Sequence, residues 1–229
     1  MIDLHSHLLP GIDDGPETLA EAVALAKAVR SSGTTISVAT PHYDSSYRTS
    51  IEDAEAASRD LREALEEEQC DLQLLVGAEI STSMLIDMTI EDLRARTLGA
   101  GDCLLLESPF TDAPDDLTMK IRDLMIDGFK VLLAHPERSG YFHAKPDVLR
   151  DLVALGALCS LTAGSFNGIF GQTVRSETLR LSKLGFAHNI SSDTHDLTRR
   201  PPGLTISEDV PGLESQEVRD ERAANLLNI

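Results

Sequence analysis

The sequence predicts an α/β fold, a barrel of seven parallel strands. Three observations carry this. Strand-like and helix-like runs alternate along almost the whole 229-residue chain, and strands that alternate with helices pair in parallel through crossover connections. The strand-like runs hold about five or six residues and the helical ones about ten or more, as in ordinary α/β domains. No glycine-rich nucleotide loop follows the first strand, which weighs against an open doubly wound sheet.

The first strand is the short apolar run "IDLH". "PETLAEAVALAKAVRSSG" follows as a helix, with Pro16 and Glu17 suited to its first turn, Leu19 and Val23 on its apolar face and Gly33 as its stop. "TTISVATPH" reads as the second strand, ended by Pro41. A long polar-faced helix, "SIEDAEAASRDLREALEEE", leads to the third strand, "DLQLLVGAEI". "DCLLLESP" is the fourth strand, and "DDLTMKIRDLMIDG" a helix closed by Gly128. "FKVLLAHPER" is the fifth strand, and "KPDVLRDLVALG" another helix ended by glycine. "ALCSLTAGS", "TVRSETLRLSKLG" and "FAHNISSDTH" give the sixth strand, its helix and the seventh strand. The polar helix "ESQEVRDERAANLL" ends the chain, and residues 1–229 are expected to form one domain.

Composition narrows the function. Twenty Lys and Arg face 38 Asp and Glu, a net charge of −18, so nucleic acid is a poor partner. Three divalent cations would bring that charge to about −12. No apolar run reaches the roughly 18 residues of a membrane helix, and no basic patch followed by an apolar stretch marks a signal peptide. Cys103 and Cys159 sit inside apolar strand-like runs and Cys70 makes the count odd. Reduced thiols in the cytoplasm are the expectation.

Candidate ligands stand where the strands end. His5 and His7 close the first strand, with Asp13 and Asp14 in its loop. His42, Glu79, Glu107 and His135 follow the second to fifth strands, and Asp193 and His195 the seventh. Only the sixth lacks such a group. In a parallel barrel these ends share one face, where active sites of such folds lie. Residues two apart on a strand point to the same side, so His5 with His7, and Asp193 with His195, can grip one ion. Imidazole with carboxylate suits Mn, Zn or Fe better than Ca.

Taken singly, each signal has a plain alternative. An HxH pair is weak, "GIDDG" reads as a polar turn, and a strand-end Glu is often merely solvated. Together they favour a metal site. His143 is expected at the surface and His188 in a structural role away from the catalytic face. Arg138 and Arg200 would stand on the rim of the site, where a guanidinium beside cations calls for an anion such as phosphate between them. The plain alternative is pairing with local carboxylates such as Glu137 or Asp196; Arg199 is placed to exchange roles with Arg200.

The motifs "MIDLHSHLLPGIDDGP", "TPHY", "GAEI", "LLES", "AHPER" and "SSDTHDLTRRPP" resemble the polymerase and histidinol phosphatase (PHP) superfamily. Within it they resemble the bacterial manganese-dependent protein-tyrosine phosphatases encoded with capsule and exopolysaccharide genes. The resemblance runs from Met1 to about Pro202; "GLTISEDVPGLESQ" beyond it does not align, and "YDSSYRTS" looks individual. It implies a distorted (βα)7 barrel with three divalent ions, manganese first, with iron, zinc or magnesium as alternatives. One ion would be held by His5, His7, Glu79 and Asp193. A second would be held by Glu79, Glu107 and His135, and the third by Asp14, His42 and His195. Arg138 and Arg200 match the phosphate-binding arginines, and His42 and Asp14 are further catalytic candidates. The implied substrate is a phosphotyrosine protein, with a capsule-associated tyrosine kinase as a partner, hydrolysed by a hydroxide bridging two ions.

Rival readings stay in view. A cysteine phosphatase needs an arginine six residues after a low-pKa thiol; none of the three cysteines has one. A small phosphate ester, such as a histidinol or sugar phosphate, keeps the chemistry and changes the substrate. A binuclear amidohydrolase also starts with HxH, but the twin arginines weigh against it. A metal-stabilised binding module without turnover fits poorly with a full ligand set.

Overall fold

The computed structural model of the protein describes residues 1–206 and 209–229; Ser207 and Glu208 lie outside them. In chain order it comprises β1 (Ile2–Ser6), α1 (Leu19–Ser31), β2 (Ile36–Ala39), β3 (His42–Tyr43), α2 (Ile51–Glu67), β4 (Gln73–Val76) and β5 (Glu79–Ser81). Then come α3 (Ile90–Arg94), β6 (Cys103–Glu107), α4 (Leu117–Ile126), β7 (Lys130–Ala134), α5 (Gly140–Ala144) and α6 (Pro146–Leu155). β8 (Leu158–Thr162), α7 (Ala163–Phe166), α8 (Gln172–Lys183), β9 (Asn189–Ser191) and α9 (Gln216–Leu227) complete it.

All strand pairs are parallel, in two sheets ordered β1-β2-β4 and β3-β5-β6-β7-β8-β9. The second and third strands expected from sequence are each interrupted. Pro41, which has no amide to donate, parts β2 from β3, and Gly77–Ala78 parts β4 from β5. Hydrogen bonds from Gly77 N to Ala39 O (2.9 Å) and from Glu79 N to Pro41 O (3.1 Å) carry the ladder across both breaks. The last strand returns to the first through Asp193 N to His5 O and His7 N to Thr194 O, both 2.9 Å. Seven staves therefore close a distorted barrel. Between β4 and β6 a 3-10 turn at Leu98–Ala100 fills the seam; a Cβ on Gly77 would lie 2.8 Å from Leu98 Cδ2 and 3.1 Å from Leu98 Cα, so a larger residue there would have to displace the turn.

Two local expectations are corrected. α1 begins at Leu19 rather than at Pro16, because Thr18 caps it and Glu21 completes a capping box. The stretch 82–100, without an element in the sequence reading, holds a 3-10 turn (Thr82–Ile86), α3 and the Leu98–Ala100 turn, all too short for a periodic signal.

The central strands are buried on both faces, as a parallel sheet covered by helices requires. On β6, Leu104 and Leu106 join the cluster under α4, α6 and α8, whereas Cys103 and Leu105 join the one with α9. Strand alternation then puts Glu107 on the Cys103–Leu105 face. On β1, Ser6 between the two histidines bonds away to Ser37 and Val38 of β2, which leaves His5 and His7 together on the other side.

Candidate metal centre

The strand ends gather all eleven residues singled out above for metal or phosphate: His5, His7, Asp14, His42, Glu79, Glu107, His135, Arg138, Asp193, His195 and Arg200. Among the described residues, three sets bring their ligand atoms within 4.8 Å of one another: His5, His7, Glu79 and Asp193; His7, Asp14, His42 and His195; and His42, Glu79 and Glu107. His135 joins through Glu79, its Nε2 lying 2.7 Å from Oε1. His42 stands between two sets, with Nδ1 3.1 Å from Glu79 Oε2 and Nε2 3.3 Å from Asp14 Oδ1. The donor set itself calls for a cation. Glu79 Oε2 is buried and makes no hydrogen bond, yet His5 Nε2, His42 Nδ1 and His7 Nε2 lie 3.1, 3.1 and 3.4 Å away. Buried, unbonded oxygen and nitrogen atoms converging on one space are what a cation satisfies.

The ring orientations support this. His7 Nδ1 faces Asp13 Oδ2 at 2.6 Å, and His195 Nδ1 faces the Asp193 carbonyl at 3.0 Å. With Nδ1–H donating in each case, both Nε2 lone pairs point into the basin. His135 and Asp193 are held in the left-handed backbone region, at φ +35° and +51°, a strain that persists only where surrounding structure enforces it. Burial, with Arg138 nearby, pushes His135 down to about 4; burial, with His7 nearby, does the same to His195. Both imidazoles are therefore neutral and able to ligate. Burial opposes a charge on His7 and His42, but the carboxylates outweigh it, holding His7 well above the usual histidine range and His42 at about 10. Cations would take the place of those protons. Burial, reinforced by Glu79, raises Glu107 to about 7.

The two arginines meet on one carboxylate. Arg138 Nη1 donates to Asp193 Oδ2, and Arg200 Nη2 to Asp193 Oδ1 at 3.0 Å. Neither takes the local partner weighed above. Glu137 accepts from Thr162 N and Ser165 Oγ, and Asp196 from Thr198 and Arg199. Arg200 Nε is buried without a partner. Arg199 stays outside, its side chain 89% exposed.

A family model described as "Capsular polysaccharide synthesis, CpsB/CapC" matches residues 1–216, and so extends past Pro202 through the stretch "GLTISEDVPGLESQ" expected not to align. The chain belongs to the CpsB/CapC family. It is 34% identical to CapC of Staphylococcus aureus over 202 residues, covering 88% of this chain and 79% of that one. It is 31% identical to the tyrosine-protein phosphatase YwqE of Bacillus subtilis over 201 residues, covering 87% and 79%. In structure it is similar to a chain from the crystal structures of YwqE and of CpsB from Streptococcus pneumoniae, described as unique metal-dependent tyrosine phosphatases. The TM-score there is 0.89 at 31% identity, covering 100% of this chain and 94% of that one. The lactonase Lmo2620 of Listeria monocytogenes, at 12% identity, TM-score 0.53 and coverage of 89% and 82%, shares the fold alone.

Other residues of this CpsB/CapC protein fall elsewhere. His143 is exposed. His188 lies by the N-terminal end of β9, where Nδ1 accepts from Cys159 N at 3.0 Å. Asp13, a candidate ligand of the first loop by sequence, instead orients His7 through Nδ1; a carboxylate six residues after a ligand histidine is a visible signal for such a group. Tyr47, Phe110 and Phe170 lie against His42, His135 and Arg138, and nothing in the sequence pointed to them.

Proposed function

We propose that this CpsB/CapC protein is a metal-dependent phosphomonoester hydrolase that removes phosphate from tyrosine side chains of proteins. The convergence of Arg138 and Arg200 on Asp193, at the edge of a basin of imidazoles and carboxylates, carries the reading. A carboxylate flanked by two guanidinium forks marks a place suited to a tetrahedral dianion.

Three divalent ions, manganese by preference, would be held by His5, His7, Glu79 and Asp193, by Glu79, Glu107 and His135, and by Asp14, His42 and His195. Such ions lower the pKa of water toward neutrality and neutralise charge on the phosphoryl oxygens. Arg138 and Arg200 orient the phosphate and stabilise the charge that builds on its equatorial oxygens. The unpartnered Arg200 Nε is a donor already stripped of water for that purpose. Asp14 is the partly exposed carboxylate of the basin, 3.3 Å from His42 Nε2; burial would raise its carboxyl, but His195 and His42 hold it well below the usual carboxylate range, so it stays ionised and would hold an ion with His42 beside the departing oxygen. A tyrosine leaving group, with a pKa of roughly 10, needs less help from an acid than an alkyl alcohol would. A cavity of about 330 Å³ beside Asp14 and His195 leaves room for the rest of the substrate.

The family's place in capsular polysaccharide synthesis favours a phosphotyrosine protein of that system as substrate, a tyrosine kinase foremost. The three free thiols favour the cytoplasm. No helix among the described residues is long and apolar enough to cross a membrane.

The test is metal analysis of the purified protein beside assays on phosphotyrosine peptides and small phosphates. Turnover is expected to vanish with EDTA, return with metal and survive iodoacetamide. Burial raises the Cys103 thiol to about 12 and Cys159 further, so neither supplies a thiolate nucleophile at neutral pH. Inhibition by iodoacetamide with indifference to EDTA would reverse the assignment.

A further inference from the structure

The chain holds only nine aromatic residues, six Phe and three Tyr. Three of them lie against the basin. The Tyr47 ring is 6.0 Å from that of His42. Phe170 lies under the Arg138 guanidinium at 4.7 Å. The Phe110 ring is 6.0 Å from that of His135, with 25° between their planes. Tyr47 and Phe170 are partly buried, whereas Phe110 is 49% exposed, the most open aromatic side chain among the described residues.

A lone exposed phenylalanine needs no explanation. This one is held in place. Ser108 Oγ donates to Ala134 O at 2.5 Å, Ser139 Oγ donates to Pro109 O, and Tyr141 N donates to Phe110 O at 3.0 Å. Gly140 passes so close that an added Cβ would lie 2.8 Å from Phe110 O. The anchors flank the turn that carries His135 and Arg138, so the phenyl ring is fixed to the residues that line the anion site. A rigid backbone with a free ring at its tip is a preorganised contact surface.

We propose that Phe110 is the residue that selects aryl over alkyl phosphates, its ring packing against the substrate's aromatic ring while the phosphoryl group lies between Arg138 and Arg200. This rests on the phosphatase reading above. Aromatic pairs prefer offset or edge-on contact and gain from it beyond area burial; an alkyl phosphate gains nothing there.

The experiment uses metal-loaded protein, wild type, Phe110→Ala and Phe110→Tyr. Calorimetry measures benzylphosphonate and methylphosphonate binding; steady-state kinetics compare p-nitrophenyl phosphate with glycerol phosphate. Phe110→Ala is expected to weaken benzylphosphonate and to lower kcat/KM for the aryl ester about tenfold each. Methylphosphonate binding and the alkyl ester stay unchanged, which also reports an intact fold, and Phe110→Tyr retains the aryl preference. Equal losses for both ligand classes, or none for either, overturn the role of Phe110 while leaving the phosphatase reading standing. Wild-type protein that binds neither phosphonate and cleaves neither ester overturns both.

Discussion

Asp13 Oδ2 lies 2.6 Å from His7 Nδ1 and also accepts the His42 amide at 3.1 Å. One carboxylate thus sets the tautomer of one candidate ligand and the backbone position of another. Burial would raise the Asp13 pKa, but the His7 charge and hydrogen bond hold it below the usual carboxylate range. Asp13→Asn keeps the shape and removes the charge. Groups of this kind are worth about 10- to 100-fold in metal affinity. Metal titration of the purified variant should show that loss with the unfolding transition little changed; unaltered affinity would make Asp13 a turn residue only.

Arg200 and Arg199 are neighbours with opposite surroundings, one on Asp193 and the other in solvent. Arg200→Ala should lower kcat/KM on aryl phosphates by about a hundredfold, in the range of one lost transition-state donor. Inorganic phosphate should inhibit that variant much less. Arg200→Lys should recover little, because a single ammonium does not reproduce the fork. Arg199→Ala should stay within about twofold of wild type; a deep loss there would show that the two arginines exchange roles.

His188 offers a pH test remote from the basin. Burial, with the Arg222 charge beside it, lowers its pKa from 6.5 in the folded chain, and its Nδ1 must be unprotonated to accept Cys159 N. Between the folded pKa and 6.5 the unfolded chain binds more protons, so stability rises with pH. The His188 contribution is complete above about pH 6.5 and is lost as pH falls below it. Urea unfolding at pH 5 and 7.5 should show a smaller acid loss for His188→Asn, whose side-chain oxygen accepts the same amide, than for wild type. Equal losses would place the acid sensitivity elsewhere.

How much of this was legible follows from which rules are local. The HxH pair announces itself because strand alternation puts residues two apart on one side, and Glu107 because β6 is an uninterrupted apolar strand; Asp193 and His195 instead lie beyond β9, with Asp193 at φ +51°, and fall in different ligand sets. The place of His42 beside Glu79 and Glu107 was not legible. His42 faces Glu79 and Asp14 at once only because the second stave breaks at Pro41 and restarts as β3. Read as a strand's end, Pro41 does not disclose that the ladder resumes beyond it. Thr18 and Glu21 carried a readable capping signature that Pro16 obscured. Phe110 had no signal, since its meaning depends on a glycine thirty residues later.

Gly15, in the "DDGP" motif, is the sharpest test of the loop that carries Asp13 and Asp14. A Cβ there would lie 2.7 Å from His7 O and 3.1 Å from Asp13 Oδ1. His7 cannot yield readily, because its own amide is tied to Thr194 O at 2.9 Å; the Asp13–Asp14 loop must move instead. Gly15→Ala should therefore lose metal and cut turnover more than about tenfold, with a stability cost of about 1–3 kcal/mol from overpacking. Gly128→Ala is the matched control. Gly128 sits at φ +90° with nothing within 4 Å of an added Cβ, so the change should cost roughly 1–2 kcal/mol of backbone strain and leave metal content and kcat alone. Full metal content and activity in Gly15→Ala would mean that the loop tolerates displacement, and that Asp14 is not held where a third ion requires it.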